Sequence, residues 1–269
     1  MPVAKKKKVY STVMLNVLGN VAEIRLNRPE AMNAFNVELA TELGQALKEV
    51  ALDKKVRAVI LRGEGKAFSA GGDLKMFHAQ LPKPAAAFRK ITTLLNGAIH
   101  LIRTMPKPVI VGVHGPAFAA AFGLTLSCDL IVASHSARFS ASYLNIALCP
   151  NGSASLFLPR LVGFHRANEL LFTTRVLSAF EAFEWGIVNR VSSDEEFDAS
   201  LSDLAQNLAE RPTRTMARTK LLLNQSLGLN WKMQLEKEKE AIAWSSTTPD
   251  FAEGVTAFVE KRKPQFTGN

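Results

Sequence analysis

Two stretches of small residues, each placed where an apolar strand ends, constrain this chain more than anything else in it. Val56 to Leu61 feeds Ala67-Phe68-Ser69-Ala70-Gly71-Gly72-Asp73-Leu74, and Val109 to Val113 feeds His114-Gly115-Pro116-Ala117-Phe118-Ala119-Ala120-Ala121-Phe122-Gly123. Strands that are apolar on both faces need cover on both faces, so helices must flank the sheet and the class is α/β. Small residues let backbone N–H groups approach a ligand closely. Two such turns facing each other would aim two donors at one oxygen, an oxyanion hole for a carbonyl that becomes an enolate.

The surrounding pattern agrees. Val13, Leu15 and Val17 alternate, Gly19-Asn20 makes a turn, and residues 21–26 run back as a hairpin. Asn36 caps a predicted helix that carries Leu39, Leu43, Leu47 and Val50 on one face. A long helical pattern spans Pro84 to Met105 and is stopped by Pro106 and Pro108. A third apolar strand at Leu130 to Ala133 leads to Phe139 and then to the loop Cys149-Pro150-Asn151-Gly152-Ser153. The sheet-bearing core is expected over residues 1–195. Residues 196–269 show only helical pattern, expected to wrap the core or a neighbouring subunit.

Composition narrows the function classes. The formal charge of +9 invites a nucleic-acid reading, but the one basic run, Lys5 to Lys8, has no interleaved aromatics and reads as a solvated tail. A diffuse positive surface suits a polyanionic small molecule such as a nucleotide-bearing thioester. Cys128 and Cys149 lack metal-ligand spacing, so neither a disulfide framework nor a metal site is expected. The most apolar stretch, Ala117 to Leu126, is about half what a bilayer crossing needs, and no signal-peptide pattern opens the chain, which points to a cytoplasmic location. Gly63-Glu64-Gly65 lacks the third glycine of a dinucleotide fingerprint, and neither a P-loop nor a nucleophile elbow occurs.

Five ordered segments resemble the crotonase superfamily, the enoyl-CoA hydratase/isomerase group. They are Leu26 to Ala34, Gly65 to Leu74, Pro108 to Asp129, Leu158 to Gly163 and Glu253 to Arg262. The resemblance implies a spiral of ββα units followed by a C-terminal helical region that builds a homotrimer or homohexamer. It implies an acyl-CoA substrate, with coenzyme A entering as part of that substrate and no permanently bound cofactor. Matched residue by residue, the oxyanion donors fall on Ala70 and Ala119. The backbone around Ala31, Phe68, Ala70, Gly71 and Gly72 is expected to hold the CoA, and Phe258 and Lys261 to approach its head from an adjoining subunit. Many relatives have glycine where Ala119 stands, and alanine is costly there if φ is positive.

The usual proton carriers are missing. The two glutamates of hydratases match Gly123 and Tyr143, and the carboxylate of isomerases matches Asn151. Ordinary two-glutamate hydration is therefore not expected, and the segment around Asn151 looks closer to isomerases. A tyrosine with a pKa near 10 is a donor more readily than a base at neutral pH. Asp73 reads as a helix cap, His114 as a backbone partner and Asp129 as structural, while His78, His100, His135 and His165 show no pairing. The alternatives are a decarboxylase, where loss of carbon dioxide itself generates the enolate, or an acyl-CoA-binding protein that has shed catalysis.

Overall fold

The computed structural model describes residues 5–269. The chain opens with an antiparallel meander, β1 (Lys5–Val9), β2 (Val13–Leu18) and β3 (Val21–Leu26). Gly19, at φ +59°, turns β2 into β3, and Val13 pairs with Leu26. Residues Lys5 to Lys8 are thus an edge strand paired with β2, not a solvated tail. Lysines on a sheet edge discourage pairing with another chain. The Lys8 ammonium meets the Glu49 carboxylate at 2.9 Å.

From β3 onward the strands of the larger sheet run parallel, and helices cross between them. The Asn36 side chain accepts from Leu39 N at 2.8 Å and starts α1 (Val37–Leu52). β4 (Ala58–Gly63) follows, then the short α2 (Leu74–His78) capped by Asp73, the long α3 (Ala85–Thr104) and β5 (Val109–Val113). β6 (Pro116–Phe118), α4 (Ala120–Ser127), β7 (Leu130–Ser134) and β8 (Arg138–Ser140) come next. α5 (Ala154–Val162), α6 (Phe164–Thr173), β9 (Val176–Ser178), α7 (Ala179–Glu184) and β10 (Arg190–Ser192) complete the mixed region. The last segment is helical: α8 (Phe197–Ala209), α9 (Thr213–Gln225), α10 (Trp231–Ser245) and α11 (Pro249–Val259).

Among the described residues the strands form a seven-stranded sheet, ordered β1-β2-β3-β4-β5-β7-β10, and a three-stranded sheet, β6-β8-β9. Alternation along the central strands divides the core. Val59, Leu61, Val109, Val111 and Val113 face the main core shared with α1 and α3. Ala58, Ile60, Ile110 and Val132 face a second cluster built on Phe197, Leu201, Ala205 and Ala209 of α8. A Cβ at Gly112 would lie 2.3 Å from Leu201 Cδ2, so this glycine permits the close approach of α8 to the sheet. The first helix beyond residue 195 therefore covers the chain's own core. α10 and α11 instead leave Leu235, Ile242, Phe251, Val255 and Phe258 exposed.

Candidate active site

The exits of β4 and β5 lie side by side. Ser69 and Ala117 form a parallel bridge, with Ser69 N donating to Pro116 O at 3.0 Å and Phe118 N to Ser69 O at 3.1 Å. Gly71 sits against the second turn at φ +95°, where a Cβ would meet Phe118 O at 2.8 Å. No residue larger than glycine fits there without moving one of the turns.

Most of the turn amides are taken up by backbone or side-chain acceptors. Ala70 N donates to Met32 O at 2.9 Å, Gly71 N to Ser69 Oγ at 3.2 Å and Asp73 N to Phe35 O at 3.0 Å. Between them the Gly72 N–H has no acceptor among the described residues. In the second turn, Phe118 N is used in the bridge and Ala119 N donates to Ser140 O at 2.8 Å. Ala120 opens α4, so its N–H has no intrahelical acceptor. The expectation that Ala70 and Ala119 supply the donors is therefore corrected: both amides are spent on the scaffold. Ala119 also takes the strained conformation that alanine disfavours, φ +48° and ψ −119°.

Gly72 and Ala120 lie on the wall of a cavity of about 610 Å3. Its apolar lining comes from Phe35, Phe118, Ile91 and Leu95, with Phe77 and Phe88 stacked at 3.8 Å between ring centroids. Polar side chains reach it from Thr92, Tyr143 and Asn151. Among the described residues no carboxylate lines it. Thr92 had no signal in the sequence, because only the fold of α3 over the loop brings it near.

Tyr143 and Asn151 do come together. The phenol lies 2.9 Å from Asn151 O and 3.1 Å from Asn151 Oδ1, while Asn151 Nδ2 reaches Thr92 Oγ1 at 3.4 Å. Burial pushes the Tyr143 phenol up from its ordinary value, against the opposing effect of its bond to the Asn151 carbonyl. It stays protonated at any physiological pH and acts as a donor. Gly123 is closed to any carboxylate, since a Cβ there would lie 2.3 Å from Gly152 O and 2.9 Å from Asn151 O. Ser153 Oγ, donating to Gly123 O at 2.9 Å, holds the loop on α4.

The remaining residues fall away from the cavity. Phe68 is fully buried and its N–H donates to His114 O, so neither side chain nor amide is open to CoA. Ala31 ends a 3-10 turn, Pro29–Ala31, beside Met32. Phe258 is 84% exposed, and neither it nor Lys261 lines the cavity of its own chain. Asp73 caps α2 and pairs with Arg28 at 3.1 Å. His114 Nε2 lies 2.9 Å from Gly65 O, and Asp129 meets Lys220 Nζ at 2.6 Å. His78, His100, His135 and His165 are exposed. Among the described residues no helix is long and apolar enough to cross a membrane.

Comparison with known proteins bears on the family and the fold. The family model described as enoyl-CoA hydratase/isomerase matches residues 17–269. The chain is 35% identical to 4-chlorobenzoyl coenzyme A dehalogenase-2 of an Arthrobacter species over 246 residues, which is 90% of this chain and 88% of that one. It is 34% identical to the 1,2-epoxyphenylacetyl-CoA isomerase of Escherichia coli K12, over 95% of this chain and 98% of that one. The crystal structure of an enoyl-CoA hydratase from Polaromonas sp. JS666 superposes with a TM-score of 0.89 at 31% identity, covering 97% of this chain and 99% of that one. The chain thus has the crotonase fold and belongs to the enoyl-CoA hydratase/isomerase family.

Proposed function

We propose that the cavity binds an acyl-CoA thioester with its carbonyl oxygen between the N–H groups of Gly72 and Ala120, which stabilise the enolate. The observation that carries this reading is the pair of unspent amides on adjacent turns at the wall of an apolar cavity. A thioester α proton is too weakly acidic to leave at neutral pH unless the oxygen's growing charge is met by preorganised donors. Each such donor contributes about 3 kcal/mol. The N-terminus of α4 adds a favourable dipole at the same oxygen.

The reaction is closest to the isomerase type. Two-glutamate hydration has no place for its carboxylates, with Gly123 closed by the loop backbone and Tyr143 a protonated donor. Asn151 orients a water or a substrate group, itself fixed by Tyr143 and Thr92. Coenzyme A enters as part of the substrate, and this reading requires no resident cofactor. The exposed apolar faces of α10 and α11 support a homotrimer or homohexamer, in which Phe258 and Lys261 complete a neighbour's CoA site. Decarboxylation is the second reading, favoured by the absence of a carboxylate from the cavity lining, because loss of carbon dioxide leaves the enolate without any base.

The test is to assay hydration, double-bond shift and decarboxylation of thioesters side by side with CoA-ester binding, for the natural chain and for Asn151→Asp. A gain of double-bond shift in Asn151→Asp is expected. Tight binding with no turnover in either protein would overturn the catalytic reading and leave a binding protein.

A further inference from the structure

Asn151 is followed by Gly152, the dipeptide whose side-chain amide is most readily attacked by the next backbone nitrogen, since glycine has no side chain to obstruct the approach. We propose that Asn151 is a self-modification site at which the chain generates its own carboxylate. In the first step the Gly152 nitrogen attacks Asn151 Cγ. The N–Cγ bond forms, the Cγ–Nδ2 bond breaks, and ammonia leaves with the proton from Gly152 N. Water then adds to Cγ, the ring N–Cγ bond breaks and its nitrogen regains a proton. The balance is asparagine plus water to aspartate plus ammonia, with no redox partner.

Three features of the loop favour this chemistry. The Gly152 N–H has no acceptor among the described residues, so the attacking nitrogen is not held in a hydrogen bond. The Tyr143 hydroxyl stands 3.1 Å from Asn151 Oδ1, the oxygen that becomes negative in the tetrahedral intermediate, and burial keeps that hydroxyl protonated. Asn151 lines the cavity, which gives water a route to it. The direction of ring opening is also constrained. Opening at the backbone carbonyl would insert a methylene into the main chain beside Gly152, whose carbonyl oxygen already stands 2.3 Å from where a Gly123 Cβ would lie. With no slack there, the ring opens to ordinary aspartate.

The product would line the cavity, hydrogen-bonded by Tyr143 and able to take a proton from a substrate carbon. That consequence rests on the acyl-CoA reading above, whereas the modification itself does not. A second Asn-Gly pair supplies an internal comparison. Asn96-Gly97 is exposed but lies inside α3, where the glycine N–H is locked in the helical ladder.

The experiment is a time course of the purified, folded full-length protein in mildly alkaline buffer, read by peptide mass mapping and by fragmentation that separates aspartate from isoaspartate. The Asn151 peptide is expected to gain one mass unit as aspartate while the Asn96 peptide stays unchanged. Tyr143→Phe is expected to slow the conversion about tenfold, the effect of removing one hydrogen bond to a developing charge. An unchanged Asn151 peptide, over a period that converts the same site in the urea-unfolded chain, would overturn the proposal, as would isoaspartate as the product. Double-bond-shift activity followed on the same samples should rise in step with the mass change. Conversion to aspartate without any such rise would uphold the modification and overturn the isomerase reading instead.

Discussion

Gly72 and Ala120 each lie three residues beyond the Ser69–Ala117 bridge that ties the two turns together, and both line the same cavity. Their N–H groups have no acceptor among the described residues, whereas Ala70 and Ala119 donate to Met32 and Ser140. The scaffold holds the turns through amides adjacent to Gly72 and Ala120. Under the acyl-CoA proposal, a thioester oxygen set between the turns would meet donors that need no reorganisation.

Ala119 carries a measurable cost of this arrangement. Its φ of +48° with ψ −119° belongs to glycine, and an alanine there stores about 1–3 kcal/mol of strain. Ala119→Gly is expected to stabilise the fold by about 1 kcal/mol after the extra unfolded-state entropy of glycine is subtracted. Urea unfolding midpoints measure it. An unchanged or lower midpoint would contradict the strain.

Gly123 leaves no room for a side chain, because the Gly152 carbonyl oxygen lies 2.3 Å from where its Cβ would stand. Gly123→Ala should destabilise by about 2 kcal/mol despite alanine's better helix propensity, because the added methyl meets the Gly152 carbonyl. The same variant should show no gain in hydration. A stabilised Gly123→Ala protein would show that the loop yields easily and that a glutamate could enter.

Asp129 anchors the helical segment to the sheet. It accepts from Val109 N at 2.7 Å and pairs with Lys220 of α9, which is 8% exposed. Asp129→Ala strands the buried ammonium and is expected to cost about 3 kcal/mol, more than Lys220→Met, which removes the charge and keeps the volume. Thermal unfolding of the two variants checks the order. The reverse order would contradict the assignment of Asp129 as the structural partner.

His114 makes stability depend on pH. Burial holds its pKa below the ordinary 6.5, Arg62 adds to the effect, and the bond to the Gly65 carbonyl opposes it. The unfolded chain therefore binds more protons than the folded one between the folded pKa and 6.5, so stability rises with pH across that window and is lost on acidification. One proton gives a slope of at most about 1.4 kcal/mol per pH unit. Denaturant titrations from neutral to mildly acidic pH should show the fall, and His114→Gln should flatten it. An identical profile in that variant would assign the effect elsewhere.

Local chemistry accounts for most of what could be read before the structure. Asn36 and Asp73 cap their helices because short side-chain oxygens satisfy the first free amides, and α1 buries the Leu39, Leu43, Leu47 and Val50 face that its periodicity predicts. What escaped depends on register and on the third dimension. Lys5 to Lys8 have no apolar pattern, and only the partner β2 makes them a strand. That Ala70 N is spent while Gly72 N is not turns on a bond to Met32 O, thirty-eight positions earlier in the chain. The closed Gly123 position depends on a loop nearly thirty residues downstream.

The most direct measurement is a crystal structure with an acyl-CoA bound. The thioester oxygen is expected within about 3 Å of both Gly72 N and Ala120 N, the reach of a hydrogen bond. A carbonyl turned away from both amides, or a thioester seated outside the cavity, would contradict the account.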